Sequence, residues 1–264
     1  MNLDAMAENS QLFLLIFVRI FALIQISPLL SSGSVPQIVK TGLTLFTAVS
    51  IFPWVKNLGY PIPANGLLYA ALLFGEIMVG IIIGFFLVVI YSAFLVAGQF
   101  FSLQMGFGAS EVFDPLAQVE IPIMGQFLNI VAMFVFIGID GFQRIFLVGV
   151  FKSFQTIRAL DLLTQKQHLL NMFVRSLSGL FEQALVISFP VLGTLFLVSI
   201  AMGLLAKAAP QMNLLMLGFP ISIGVAFIVL FVTIPFIMEA FGKIVDISFT
   251  ELIKLFDLIA GGSS

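Results

Sequence analysis

No cysteine occurs in the chain. Disulfide bonds, thiolate nucleophiles and cysteine-ligated metals are therefore excluded. Histidine is nearly as scarce. His168 stands alone in the 264 residues, so a multi-histidine metal centre cannot form. Its setting, Gln165-Lys166-Gln167-His168, is polar and reads as a loop or a helix start. Charge is the third shortage. Asp, Glu, Lys and Arg make up only 9% of the residues, and the net charge is −2. The eleven basic residues are dispersed, which argues against a nucleic-acid surface.

What is present is apolar. Hydrophobic residues make up 61% of the sequence, and the mean hydropathy is +1.19. Ile77–Ser110 runs 34 residues without a charge, and Ala208–Met238 runs 31. A soluble core of this size needs a polar surface that the chain cannot supply. A membrane-crossing helix needs about 20 mostly apolar residues, and several such windows exist. Barrel strands alternate polar and apolar positions, and runs such as Ile77–Ile83 do not. The fold class is all-α, built from long hydrophobic helices in about six segments. The opening MNLDAMAENS carries two acids and no base, unlike a signal peptide, so the first hydrophobic helix is expected to remain in the protein.

Breakers divide the chain. Gln11–Leu30 reads as a first helix, with Ser10 placed to cap its start and Ser31–Pro36 breaking it. A second segment runs from Gln37 to about Trp54. Gly59-Tyr60-Pro61-Ile62-Pro63 then makes a rigid connection. A third element starts near Asn65 and reaches Gln104 with one charge, Glu76. Forty helical residues span about 60 Å, twice a hydrocarbon core of about 30 Å. It is either two tightly joined spans or a helix that leaves the bilayer. Met105–Pro122 is a loop. Ile123–Ile139 is apolar again and ends at Asp140-Gly141. Asp140–Glu182 has a basic excess, which predicts cytoplasmic exposure. Gln183–Ala206 and Leu214–Met238 flank a turn at Lys207–Asn213. In the last helix Glu239, Lys243, Asp246, Thr250, Lys254 and Asp257 recur at three- and four-residue spacing, which places them in one polar stripe. Glu239 and Lys243 are an i,i+4 pair.

No catalytic set emerges. A serine–histidine–acid constellation is lacking, and Gly106-Phe107-Gly108 lacks the lysine of a phosphate loop. Asp114 and Glu120 are compatible with a carboxylate pair, with loop capping or with solvation. The central loop is a physical object of another kind. Gly106 and Gly108 allow a tight path, and Met105, Phe107 and Phe113 supply apolar bulk. Such a segment serves either as an occluding gate, which stops water by dewetting, or as a connector tucked against the bundle. Arg19, Gln25, Glu76, Gln99, Gln104, Gln126 and Asn129 lie in or near apolar stretches. A charge at the bilayer centre costs at least about 2.5 kcal/mol, so these groups need partners. Gln211 and Asn213 are placed to satisfy loose backbone groups at helix ends.

Two segments taken together resemble the FliR/SctT family. One is Gly98–Pro115, with Leu103-Gln104-Met105-Gly106 and Asp114-Pro115. The other is Pro210-Gln211-x-Asn213 followed by Gly218-x-Pro220. Arg19, Ser27-Pro28 and the Asp140-Gly141 junction also fit, and the order of hydrophobic segments matches along essentially the whole chain. The flagellar branch is closer than the injectisome branch. Two positions depart from the pattern: Lys207 stands where many relatives carry arginine, and Asp140 where asparagine is common.

The resemblance implies a single domain, 1–264, of long kinked helices in a hairpin-like, superhelical export-gate subunit. It implies a FliP-like portion followed by a FliQ-like portion (183–264) with an amphipathic tail. A central plug loop (105–118) would use Met105, Gly106, Phe107, Gly108 and Phe113. Arg19, Gln104, Asp114, Pro115, Pro210, Gln211, Asn213, Gly218 and Pro220 would serve fold and assembly. One such subunit would join several copies of FliP and FliQ, with FlhB and FlhA nearby. Unfolded flagellar subunits would pass through at the bacterial inner membrane and basal body, much of the complex lying toward the periplasm. No metal, cofactor or nucleic acid is implied. The rival is a multipass secondary transporter or channel for a small solute, which requires polar residues converging within one monomer. A lipid-embedded enzyme is a poorer rival, since no nucleophile–base pair emerges.

Overall fold

The computed structural model describes residues 3–31, 33, 35–106, 123–157, 159, 166–211 and 213–261. Among them no strand occurs, and the fold is all-α. Eight helices follow in order: α1 Leu3–Ile26, α2 Pro28–Ser31, α3 Gln37–Asn57, α4 Gly66–Met105, α5 Ile123–Gly138, α6 Gly141–Thr156, α7 Lys166–Ala208 and α8 Leu214–Gly261. Five of them (α1, α3, α4, α7 and α8) are long and apolar enough to cross a membrane, and the broken pair α5/α6 makes a sixth candidate.

Several boundaries follow directly from side-chain chemistry. Asn65 caps α4, its Oδ1 accepting from the Leu67 N–H at 3.0 Å. Asn213 caps α8 in the same way, accepting from the Met216 N–H at 3.3 Å. Lys207 sits in the last turn of α7, where a cation suits the helix dipole. Asp140 holds a left-handed φ of 58° between α5 and α6, a conformation that aspartate and asparagine tolerate better than most residues.

Two expectations are corrected and one open alternative is decided. Ser10 does not cap α1, which starts seven residues earlier, at Leu3. Its hydroxyl instead donates back to the Met6 carbonyl at 2.8 Å. The third element is one continuous helix of 40 residues, not two joined spans. The final apolar segment and the striped tail are likewise one helix of 48 residues, with Pro220 and Pro235 inside it. Each proline removes one backbone bond, a loss that helix packing and side chains absorb in apolar surroundings.

The chain forms two compact units. The first comprises Met1–Val89, Asp140–Ser176 and Asp246–Ser264, the second Ile90–Ile139 and Leu177–Val245. In the first, α1 turns its Leu15, Ile16, Ile20, Leu23 and Ile24 into the core. The face of α4 that meets α1 carries Gly80 and Gly84. A Cβ on Gly80 would run into the Arg19 carbonyl and the Ala22 methyl, and one on Gly84 would lie 2.8 Å from the Ile26 Cβ. Helix α3 stacks Trp54 on Phe151 of α6, with centroids 3.6 Å apart. In the second unit an aromatic cluster forms the core: Tyr91 meets Phe136 and Phe241 edge-on, and Phe94 meets Phe241 at 4.8 Å. Each such contact adds roughly 0.5–1.5 kcal/mol beyond its buried area.

The polar stripe of α8 is as expected. Glu239, Lys243, Asp246, Thr250, Lys254 and Asp257 are all exposed, while Phe241, Val245, Leu252, Leu255, Phe256 and Ile259 are buried. Lys243 and Glu239 form their i,i+4 ion pair at 2.6 Å. The most apolar stretches differ in cover. That of α4 is 67% buried, but those of α7 and α8 are only 22% and 17% buried.

Candidate functional site

The most organised polar site lies in the first unit and centres on Arg19. Its side chain is 1% exposed and that of Glu76 0%. Arginine cannot shed its proton in a protein, so the site must satisfy a permanent cation. The Nε donates to Glu76 Oε2 at 2.5 Å. One terminal nitrogen donates to Ser153 Oγ at 3.0 Å, and the other to the Ile157 carbonyl at 3.5 Å. The guanidinium carbon lies 3.7 Å from the centre of the Phe154 ring, a cation–π contact worth about 2 kcal/mol when desolvated.

Glu76 is completed by Tyr60, whose hydroxyl donates to the second carboxylate oxygen. The same hydroxyl accepts from the Ala159 N–H at 3.5 Å. Burial raises the Tyr60 phenol pKa well above its ordinary value. The Glu76 charge and its hydrogen bond push the same way, while Arg19 opposes them. The phenol therefore stays a neutral donor.

Four segments of chain meet here. Arg19 comes from α1, Glu76 from α4, Tyr60 from the α3–α4 connection, and Ser153, Phe154 and Ile157 from the end of α6. The middle of α6, Ile145–Lys152, is π-helical, a widened geometry that recurs at functional sites. Ser153 follows it and donates to the Val150 carbonyl at 2.7 Å, which leaves its oxygen facing Arg19. Each guanidinium nitrogen of Arg19 and both carboxylate oxygens of Glu76 thus have a partner within the cluster. Among the described residues the chain of hydrogen bonds ends on the backbone carbonyls of Val150 and Ile157. Its chemistry is that of a closed, net-neutral lock.

The root of the central loop lies in the second unit. Helix α4 ends at Met105, which is 1% exposed and packed inside the chain. Gly106 turns the backbone with φ +93°, its N–H donating to the Leu103 carbonyl at 3.1 Å. Only glycine enters that conformation freely, and the Phe219 ring of α8 occupies the place a Cβ would take. Phe107, Gly108, Phe113, Asp114 and Pro115 lie outside the described residues. Gln104 is exposed.

Of the other residues singled out from sequence, Pro210 and Gln211 form an exposed turn after α7. A Cβ on Gly218 would be 3.8 Å from the Met202 methyl, and Pro220 lies within α8. Gln25 pairs with Gln37 at 2.8 Å. Gln99 and Gln126 are exposed, and so is His168 in the first turn of α7. Asp140 accepts the Arg144 N–H at 3.1 Å through its carbonyl. Among the described residues, no three His, Asp or Glu side chains gather into a metal-binding group.

Sequence reading missed the Arg19–Glu76 pairing and the roles of Tyr60 and Ser153. A signal was available. Arg19 is the only charge between Glu8 and Lys40, and Glu76 the only one between Lys56 and Glu111. Two isolated, opposite charges in apolar helices have strong cause to meet.

Comparison with known proteins covers nearly the whole chain. Residues 10–247 match the family model described as bacterial export proteins, family 1. The flagellar biosynthetic protein FliR of Borreliella burgdorferi is 30% identical over 98% of this chain and 97% of its own length. FliR of Bacillus subtilis is 30% identical over 94% and 95%. FliR of Escherichia coli is 27% identical over 83% of each.

Proposed function

The chain belongs to the bacterial export proteins of family 1, and from that membership we propose that it is a structural and gating subunit of the flagellar type III export channel. The observation that carries this reading is likeness to flagellar FliR proteins along almost the full length. Its role lies in flagellar protein export, it is not an enzyme, and it resides in the bacterial inner membrane at the basal body. In the finer reading, one copy assembles with several FliP and FliQ subunits, with FlhB and FlhA adjoining, much of it at the periplasmic face. Unfolded flagellar subunits are the cargo.

Physical features support this reading. The apolar faces of α7 and α8 are largely uncovered by the chain itself. Phe189, Phe196, Phe231 and Phe236 are all exposed there. In this reading residues 183–264 form a FliQ-like portion whose apolar side is covered by neighbouring subunits. The Arg19–Glu76 pair is fully buried and turns each guanidinium nitrogen and both Glu76 oxygens to partners within the chain, which suits a structural contact better than a solute site. Energy for export then comes from other components.

Residues 105–118 are the plug in this reading. Met105, Phe107 and Phe113 supply its apolar bulk, and Gly106 and Gly108 give the backbone its path. Gln104, Asp114, Pro115, Pro210, Gln211, Asn213, Gly218 and Pro220 hold fold and assembly. Purification in mild detergent tests the function: FliP and FliQ homologues are expected to co-purify with the chain. A monomer that by itself transports a small solute would refute it. For the plug, replacing Phe107 and Phe113 by alanine is expected to raise the leak conductance of the closed complex with assembly retained. An unchanged leak would remove the assignment.

A further inference from the structure

Glu76 is the only charged residue of α4, and Arg19 the only basic residue of α1. They are 57 residues apart in sequence and fully buried by this chain's own side chains. Until α4 has been made, α1 carries a cation that cannot be neutralised by losing its proton. In an apolar medium such an ion is a standing penalty. Pairing removes it.

A second, independent feature lies along the same seam. Glu76, Gly80 and Gly84 follow one another at four-residue spacing and so share one face of α4. Gly80 packs on the Arg19 carbonyl and on Ala22 and Leu23, and Gly84 packs on Ile26. Contacts advance along both helices together, so α1 and α4 run in the same direction. Small residues four apart let apolar helices approach closely. Sliding α1 by one turn, about 5.4 Å, would part the charges and move larger side chains over the glycines. The ion pair and the glycine seam therefore select the same register.

We propose that the Arg19–Glu76 pair is a folding checkpoint: α1 is retained in the membrane only once α4 delivers Glu76, and the Gly80–Gly84 seam then fixes the register of the two helices. The pair serves specificity more than net stability. An apolar pair of similar size satisfies the checkpoint, because a missing charge is harmless where an unmatched one is not. This holds whether or not the chain gates an export channel, since it concerns how the first unit comes to exist.

The test uses the full chain expressed in bacterial membranes together with FliP and FliQ homologues. Membrane-fraction abundance and half-life after synthesis is stopped are measured for six forms: the unaltered chain, Arg19→Met, Glu76→Leu, Glu76→Gln, Arg19→Met with Glu76→Leu, and Arg19→Gln with Glu76→Gln. Each single variant is expected to fall about tenfold in abundance and half-life, and at least one double variant to return to within about twofold of the unaltered chain. Glu76→Gln keeps the shape and gives up the charge together with one of the two acceptors that Arg19 and Tyr60 use, so its failure reports the lost polar match and not lost packing. The proposal is overturned if Glu76→Gln accumulates normally, or if neither double variant exceeds the single ones.

Discussion

Ser153 shows how much one hydroxyl can decide. It donates to the Val150 carbonyl and accepts from Arg19, so a single oxygen joins the end of α6 to the buried cation. Ser153→Ala removes that acceptor and leaves a guanidinium N–H buried without a partner. A loss of ~1–3 kcal/mol is expected, measurable as a lower unfolding midpoint in detergent, with the helix content of the folded state unchanged. Residue chemistry of this kind was only half legible in the sequence. Asn213 was recognisable as a helix-end residue, because its amide does the same local work wherever it stands. The isolation of Arg19 and Glu76 was visible too. Their pairing was not, because it is a contact between distant segments that no local pattern encodes, and Ser153 owes its place to a widened helical turn that lacks a sequence signature.

At the scale of the helix, periodicity and breakers carried most of the reading. Gln37 as the start of α3, Asn65 before α4 and the striped face of α8 all follow from capping chemistry and from repeats of three and four. The misreadings share one cause. Ser10 as a cap, and a break between Met238 and the striped tail, were weighed by habits learned in water, where exposed backbone ends helices readily. In apolar surroundings a helix is the cheapest way to satisfy backbone groups, so α1 extends past Ser10 and α8 runs on past Met238. Asp140, between α5 and α6, holds a left-handed backbone that costs an ordinary L-residue roughly 1–2 kcal/mol. Asp140→Gly is therefore expected to stabilise the chain by up to ~1 kcal/mol. Thermal unfolding in detergent would register this as a raised midpoint.

At the scale of the molecule, the distribution of cover sets the agenda. Helix α4 is mostly wrapped by the rest of the chain, while α7 and α8 leave long apolar faces open. Phe231 is 80% exposed on one of them. If subunits cover that face, Phe231→Lys will abolish co-purification of FliP and FliQ homologues while changing the stability of the isolated chain by no more than ~0.5 kcal/mol. Equal recovery of the complex would assign the face to lipid. The composition had already announced an excess of greasy surface. Which helices carry the excess became legible only once the fold showed what the chain buries for itself.

The indole stacked on Phe151 opens a practical route into these questions. Trp54 is the only tryptophan, and it packs α3 against the π-helical part of α6. Excited at the red edge of the indole band, where tyrosine and phenylalanine do not absorb, the native protein therefore emits from a single source, placed in the first unit. Any opening of that unit changes the quantum yield or colour of this one fluorophore, without dye or label, and the variants described above can be followed by its light.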